Sequence, residues 1–171
     1  MRRFGDPESF LGLLARARSH APLAGVRSNV IVGFPGETED DLQTLCDFLV
    51  EARMDVTGVF GYSDEDGTEA AGFDGKLDED EVRARTDHVS SLVEELTSRR
   101  AGERVGETVE VLVESVADGE VVGRASHQGP EVDGTTLLVG SGARVGDLIR
   151  ATVTASEGVD LLARSVEGTV A

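Results

Sequence analysis

Apolar positions recur every three to four residues through roughly the first hundred residues and every second residue after that, so the chain reads as two differently built parts. Asp6 followed by Pro7 predicts a helix start, a carboxylate cap before the imino acid favoured at the first helical position. Phe10, Leu13, Leu14 and Ala17 then give the apolar stripe, and Pro22 closes the element. Residues 26–32 (VRSNVIV) end in a continuous apolar run, the pattern of a strand buried on both faces. Gly33-Phe34-Pro35-Gly36 is a turn. Thr38 caps the next helix, Glu39, Asp40 and Asp41 suit the positive end of its dipole, and Leu42, Leu45, Cys46 and Leu49 form its buried stripe. Residues 55–60 (DVTGVF) predict a second strand. Strand, helix, strand at this spacing is a right-handed parallel βαβ unit.

Two parallel strands with two helices do not make a stable sheet on their own. The expectation is therefore a truncated α/β barrel or open sheet over residues 1–76, with apolar faces in residues 1–60 that would drive association. Residues 64–76 are acidic and Gly-rich, a loop. Asp78 with Glu81 three residues on opens a further helix in the manner of a capping box, and Val82, Val89, Leu92, Val93 and Leu96 give its stripe up to Gly102. Residues 77–101 are thus a connector helix.

From Glu107 the period is two. Val109, Val111 and Val113 form one inward set, Ile149, Ala151 and Val153 another, and Val159, Leu161 and Ala163 a third. Shorter strands near 120–125 and 135–139 bring the total to five, joined by turns at Asp118-Gly119, Asp133-Gly134 and Glu157-Gly158. Residues 102–171 accordingly predict a small closed five-stranded barrel of the oligonucleotide-binding shape. The fold class is α/β followed by all-β.

Charge narrows the choice of partner. The 171 residues carry 16 Lys+Arg and 33 Asp+Glu, a formal net charge of −17. Residues 101–171 hold 5 basic and 12 acidic side chains, and none of the aromatic residues lies beyond Phe73. Binding of nucleic acid by a small barrel needs a positive groove and rings for base stacking, and this one offers neither. Coulomb attraction favours a basic protein instead; a solubilising acidic surface with no dedicated partner is the plainer alternative.

The candidate chemistry is sparse. No apolar run is long enough to span a membrane and no secretory signal opens the chain, so a soluble cytoplasmic protein is the expectation. Cys46, the sole cysteine, lies on an apolar helix stripe and reads as a buried structural thiol. His20, His88 and His127 have no companion at metal-ligand spacing. Asp64-Glu65-Asp66-Gly67 lacks the distal acidic ligands of a calcium loop. Gly33 to Thr38 sits where α/β folds build binding loops, although on spacing alone a tight turn needing two glycines is the favoured reading and Glu37 and Glu39 would repel a phosphate.

Three ungapped stretches in order, NVIVGFPGETEDDL (29–42), VFGYSDEDGTEA (59–70) and GRASHQGPEVDG (123–134), resemble the C-terminal part of the radical SAM methylthiotransferases. That family joins an N-terminal domain, a radical SAM barrel and a terminal TRAM barrel. The resemblance implies S-adenosylmethionine and two four-iron four-sulfur clusters in the full-length enzyme. It places Gly33, Phe34, Pro35, Gly36 and Glu37 on the cofactor side, and Arg124, Glu131 and Asp133 toward a protein substrate. Tyr62-Ser63 followed by Asp64-Glu65-Asp66, with Pro130-Glu131-Val132-Asp133-Gly134 in the barrel, is similar to the branch that methylthiolates an aspartate of small-subunit ribosomal protein S twelve. The acidic barrel agrees, since it suits a basic ribosomal protein and repels tRNA. The tRNA-modifying branch and a non-catalytic TRAM-containing binding module stay open as alternatives. Iron–sulfur clusters need several thiolates and this chain has one, so alone it is expected to hold no cluster and to be inactive. The partner it would then need is the missing N-terminal part of the same enzyme.

Overall fold

A computed structural model describes residues 6–130, 133–140 and 142–166. The elements are α1 (Pro7–His20), β1 (Arg27–Val32), α2 (Glu39–Ala52), β2 (Val56–Gly61), a short 3-10 turn (Glu69–Gly72), α3 (Glu79–Gly102), and β3 to β7 (Thr108–Ala117, Glu120–Ala125, Thr136–Val139, Leu148–Glu157 and Asp160–Ser165). They fall into two compact units. The first holds residues up to His20, 28–53 and 57–96; the second holds 21–27, 54–56 and everything from Thr97 onward.

In the first unit the helix signals read from the sequence are physically present. Asp6 accepts the Ser9 backbone N–H at 2.8 Å, and these local hydrogen bonds hold its carboxyl below the usual range. Thr38 and Asp41 exchange hydrogen bonds in a full capping box at the start of α2. At α3 only half of the box forms. The Glu81 N–H donates to Asp78 at 2.8 Å, but the Glu81 carboxylate turns to Arg85 instead, because a guanidinium is the stronger partner. β1 and β2 pair as a two-stranded sheet, and at its far end the Tyr62 N–H donates to the Val32 carbonyl at 2.8 Å.

Val32, Leu42, Cys46, Leu49, Val89 and Val93 form the core of this unit. The expectation of a strand buried on both faces needs correcting. Along β1 the exposure alternates, with Val32 fully buried and Ile31 43% exposed, because helices cover one face of a sheet that has only two strands. The same incompleteness shows in α1, where Leu14 alone is buried while Phe10 and Leu13 stay about half exposed. Phe10 still meets Phe48 of α2 edge-on, with ring centroids 6.0 Å apart.

In the second unit β3 to β7 close into a barrel in the order β3-β4-β5-β7-β6. All neighbours are antiparallel except β5 and β7, which run parallel with Thr136 beside Leu161. The period-two sets Val109, Val111 and Val113, Ile149, Ala151 and Val153, and Leu161 and Ala163 point inward, joined by Val121 and Leu138 of the short strands, all at most 4% exposed. Val159, expected inward, instead precedes β7 in the turn and is half-buried. Register shifts between Val113 and Ser115 and between Val153 and Ala155 bend β3 and β6, which lets so few strands close. Asp118 and Gly119 both take positive φ, 53° and 85°, the two-residue hairpin turn for which Asp-Gly is the favoured pair.

Candidate functional site

The Gly33–Glu37 loop follows β1 and leads into α2, and its polar groups are turned onto the protein itself. The Gly33 N–H donates to Glu37 Oε2 at 2.9 Å, the Gly36 N–H to the Gly75 carbonyl at 2.9 Å, and the Glu37 N–H to the Phe34 carbonyl at 2.9 Å. The other Glu37 oxygen accepts from Arg85 at 3.0 Å. Arg85 is buried and also engages Glu81 at 2.6 Å and Glu39, so one guanidinium pins α3 to the loop and to the first turn of α2. What the loop presents outward is shape and a ring. Phe34 stands edge-on to Tyr62 at 5.2 Å and to Phe73 at 6.1 Å.

Beyond the end of β2 lies a cleft of about 550 Å³, lined by Tyr62, Ser63, Asp64, Lys76, Val82 and Thr86 among others. Asp64 accepts from Lys76 at 2.7 Å and from the Tyr62 hydroxyl at 2.8 Å, and these bonds lower its pKa. Burial, with the Asp64 bond added, pushes the Tyr62 phenol up. Asp64 is thereby an acceptor in a local ion pair with Lys76. The position of the cleft at the carboxyl end of β2 is where α/β folds place ligands.

The second unit carries a buried ionic cluster that has no counterpart in local sequence pattern. Asp55 Oδ1 accepts from Arg104, which is 1% exposed, and stands 3.3 Å from Arg100 Nε; Asp55 Oδ2 accepts the Val26 N–H at 2.8 Å. Beside them His127 is half-buried. Burial first, then the charge of Arg104, pushes its pKa down to about 4. The backbone approaches closely here: a Cβ on Gly25 would lie 2.2 Å from the His127 carbonyl oxygen, so only glycine fits.

Of the barrel residues expected to face a protein substrate, Asp133 is buried, with Oδ2 accepting the Gly129 N–H at 2.9 Å and Oδ1 3.5 Å from Arg27. Arg124 is part-exposed and pairs with Glu114 across the β3–β4 hairpin at 2.6 Å. Glu131 lies outside the described residues. Arg124 and Asp133 line one cleft together with Arg27, Asp55 and His127, so the second unit brings two of the three together. Sequence reasoning named Asp133, weighed His127 only as a metal ligand without companions, and passed over Arg27 and Asp55, because a lone charge or imidazole gives no periodic signal.

Cys46 is buried among apolar side chains, and burial, with Asp47 nearby, raises its thiol pKa. A single inert thiol does not fit the ligation of an iron–sulfur cluster. Among the described residues no group of three or more His, Cys, Asp and Glu side chains is placed to hold a metal ion, and no helix is long and apolar enough to cross a membrane.

The depressed His127 pKa makes stability depend on pH. The unfolded chain, with an ordinary imidazole near 6.5, takes up a proton before the folded chain does, so stability falls as pH drops from about 6.5 to about 4. The expected loss is about 2 kcal/mol, less than the full shift would convert to because the ring keeps some solvent contact. Urea unfolding midpoints at pH 7 and pH 4.5, compared with His127→Gln, check this: the variant should lose that much less, and an equal loss would refute it.

Residues 105–166, which hold the closed barrel, match the family model of the TRAM domain. Over nearly its whole length the chain is also similar to proteins named ribosomal protein uS12 methylthiotransferase RimO. The identity is 76% with that of a Nocardioides species, over 96% of this chain and 35% of the relative. It is 64% with that of Saccharopolyspora erythraea, over 97% and 34%, and 60% with that of Streptomyces avermitilis, over 99% and 35%. By this relationship the chain is similar to the C-terminal portion of RimO-type methylthiotransferases. It spans about a third of the length of the curated relatives it matches.

Proposed function

We propose that these residues are the substrate-recognising end of an enzyme that adds a methylthio group to an aspartate of ribosomal protein uS12. The observation that carries the reading is an acidic TRAM barrel without Phe, Tyr or Trp, on a chain of net charge −17, in a sequence whose relatives are named for that ribosomal protein. A ribosomal protein that lies against RNA is basic, so attraction steers it to this surface while tRNA is repelled.

The chemistry belongs to residues outside this chain. S-adenosylmethionine and iron–sulfur clusters would supply it, and one buried thiol cannot bind a cluster, so the chain alone is inactive on this account. Gly33, Phe34, Pro35, Gly36 and Glu37 serve as cofactor-side wall. With Gly33, Gly36 and Glu37 engaged internally, their contribution is a fixed loop and an aromatic face more than hydrogen bonds to the cofactor. Arg124, Glu131 and Asp133 serve the protein substrate, and the whole acts in the cytoplasm, where ribosomes are assembled.

The test is to replace Glu131 with Lys and Asp133 with Asn in the complete enzyme and measure uS12 binding at low salt. The affinity is expected to fall by about tenfold, as for the loss of charged partners at an interface. An unchanged affinity would remove these residues from the interface.

A further inference from the structure

We propose that the cleft beside Asp133 is a pocket for one arginine side chain of the basic protein partner, with Asp133 Oδ1 as its anchor and Arg27 as the placeholder it displaces. The proposal rests on the reading of a basic partner given above and adds the site and the side chain. The cleft is about 290 Å³ and every residue lining it belongs to the second unit. That volume lies at the small end of ligand sites, suited to a single long side chain and not to a cofactor.

Most polar groups around it are already engaged. Gln128 accepts from the Ala125 N–H and the Thr136 hydroxyl and donates to the Thr135 carbonyl. Asp55 is committed to Arg104, Arg100 and the Val26 N–H. Among the described residues three buried side-chain atoms have no hydrogen-bond partner, Arg100 Nε, His127 Nδ1 and Asp133 Oδ1, and the last two belong to residues that line the cleft. The Asp133 side chain is only 5% exposed. A buried carboxylate oxygen left without a donor is costly, and with the imidazole proton on Nε2 the His127 Nδ1 is a second acceptor in the same cleft, so the site calls for a donor from elsewhere.

Arg27 identifies the chemistry of that donor. Its guanidinium stands 3.5 Å from Asp133 Oδ1, close enough for attraction and too far for a hydrogen bond, and its side chain is 50% exposed. A guanidinium is thus already drawn to the carboxylate but held short of it. An arginine entering from a partner would bring a planar fork whose N–H groups reach both the carboxylate oxygen and the neutral imidazole nitrogen, a match that a point-like ammonium lacks. Since Arg27 swings out as the new guanidinium enters, the balance of Arg100, Arg104, Arg124, Asp55 and Asp133 around His127 is unchanged.

The experiment follows the His127 ring protons by NMR in the 171-residue chain, with His20 and His88 as internal references, during titration with N-acetyl-arginine amide. Saturable shifts confined to His127 are expected at millimolar probe, with none for the neutral isostere N-acetyl-citrulline amide. Arg27→Gln should tighten binding at least threefold by removing the competitor, and Asp133→Asn should weaken it at least tenfold. Because Asp133 also holds the Gly129 N–H, Arg27→Gln on the exposed side is the decisive variant. Equal shifts with both probes, or an Arg27→Gln variant that binds no better than the parent, would overturn the pocket. Loss of probe binding alongside intact uS12 binding would overturn it and leave the partner reading standing; probe binding with no uS12 binding would uphold the pocket and remove that reading.

Discussion

Asp55→Ala is expected to destabilise the second unit by about 3–5 kcal/mol, the range for removing one partner from a buried ion pair. The aspartate is 8% exposed and its two oxygens face Arg104, Arg100 and the Val26 N–H, so the alanine variant removes the shared counter-ion of two arginines and the acceptor of a backbone donor at once. Each arginine keeps one other carboxylate, Glu107 at 3.2 Å for Arg104 and Glu103 at 2.9 Å for Arg100, which limits the damage. Asp55→Asn should fall between, because the amide oxygen still accepts from Val26. Arg104→Met should cost less than either, since an apolar chain of similar length leaves no orphaned charge and Asp55 retains Arg100. Hydrogen exchange of the β3–β7 amides under increasing urea reads this unit separately from the first. A loss below about 1 kcal/mol for Asp55→Ala would show the cluster to be a solvated one.

That cluster also marks the limit of what the sequence discloses. The long strands of the barrel were legible, because each inward position sits two along from the last and the β3–β4 and β6–β7 hairpins carry Asp-Gly and Glu-Gly turns, whereas Val159 fell in the turn before β7 and not inside. The caps of α1 and α2 were legible for the same reason: donor and acceptor are three residues apart. Arg85 meets Glu37 across 48 residues and Arg104 meets Asp55 across 49, and nothing local announces either pair. Where the pattern misled, as for Ile31 and Leu13, the residues are apolar at the right spacing but the layer that would cover them is not among these elements. Asp133 was singled out for its motif; that one of its oxygens is tied to Gly129 and the other faces a cleft beside His127 follows only from the closed barrel.

The largest difference expected in solution is between the two classes of partner. A chain with 33 acidic and 16 basic side chains should draw a basic ribosomal protein at rates that rise as salt is lowered, and should resist a polyanion under the same conditions. The barrel adds little compensating stacking for RNA, because no Phe, Tyr or Trp lies beyond Phe73. Steered protein complexes lose affinity as salt screens the charges, so uS12 binding should weaken by about tenfold between roughly 50 mM and 500 mM salt. Binding of tRNA should be weaker than that of uS12 by about a hundredfold at the lower salt, where its negative backbone is least screened. The direct measurement is a competition between fluorescent uS12 and unlabelled tRNA for this chain at about 50 mM salt. Micromolar retention of uS12 that a hundredfold excess of tRNA does not displace is the predicted result, and tRNA bound as tightly as uS12, or more tightly, would contradict it.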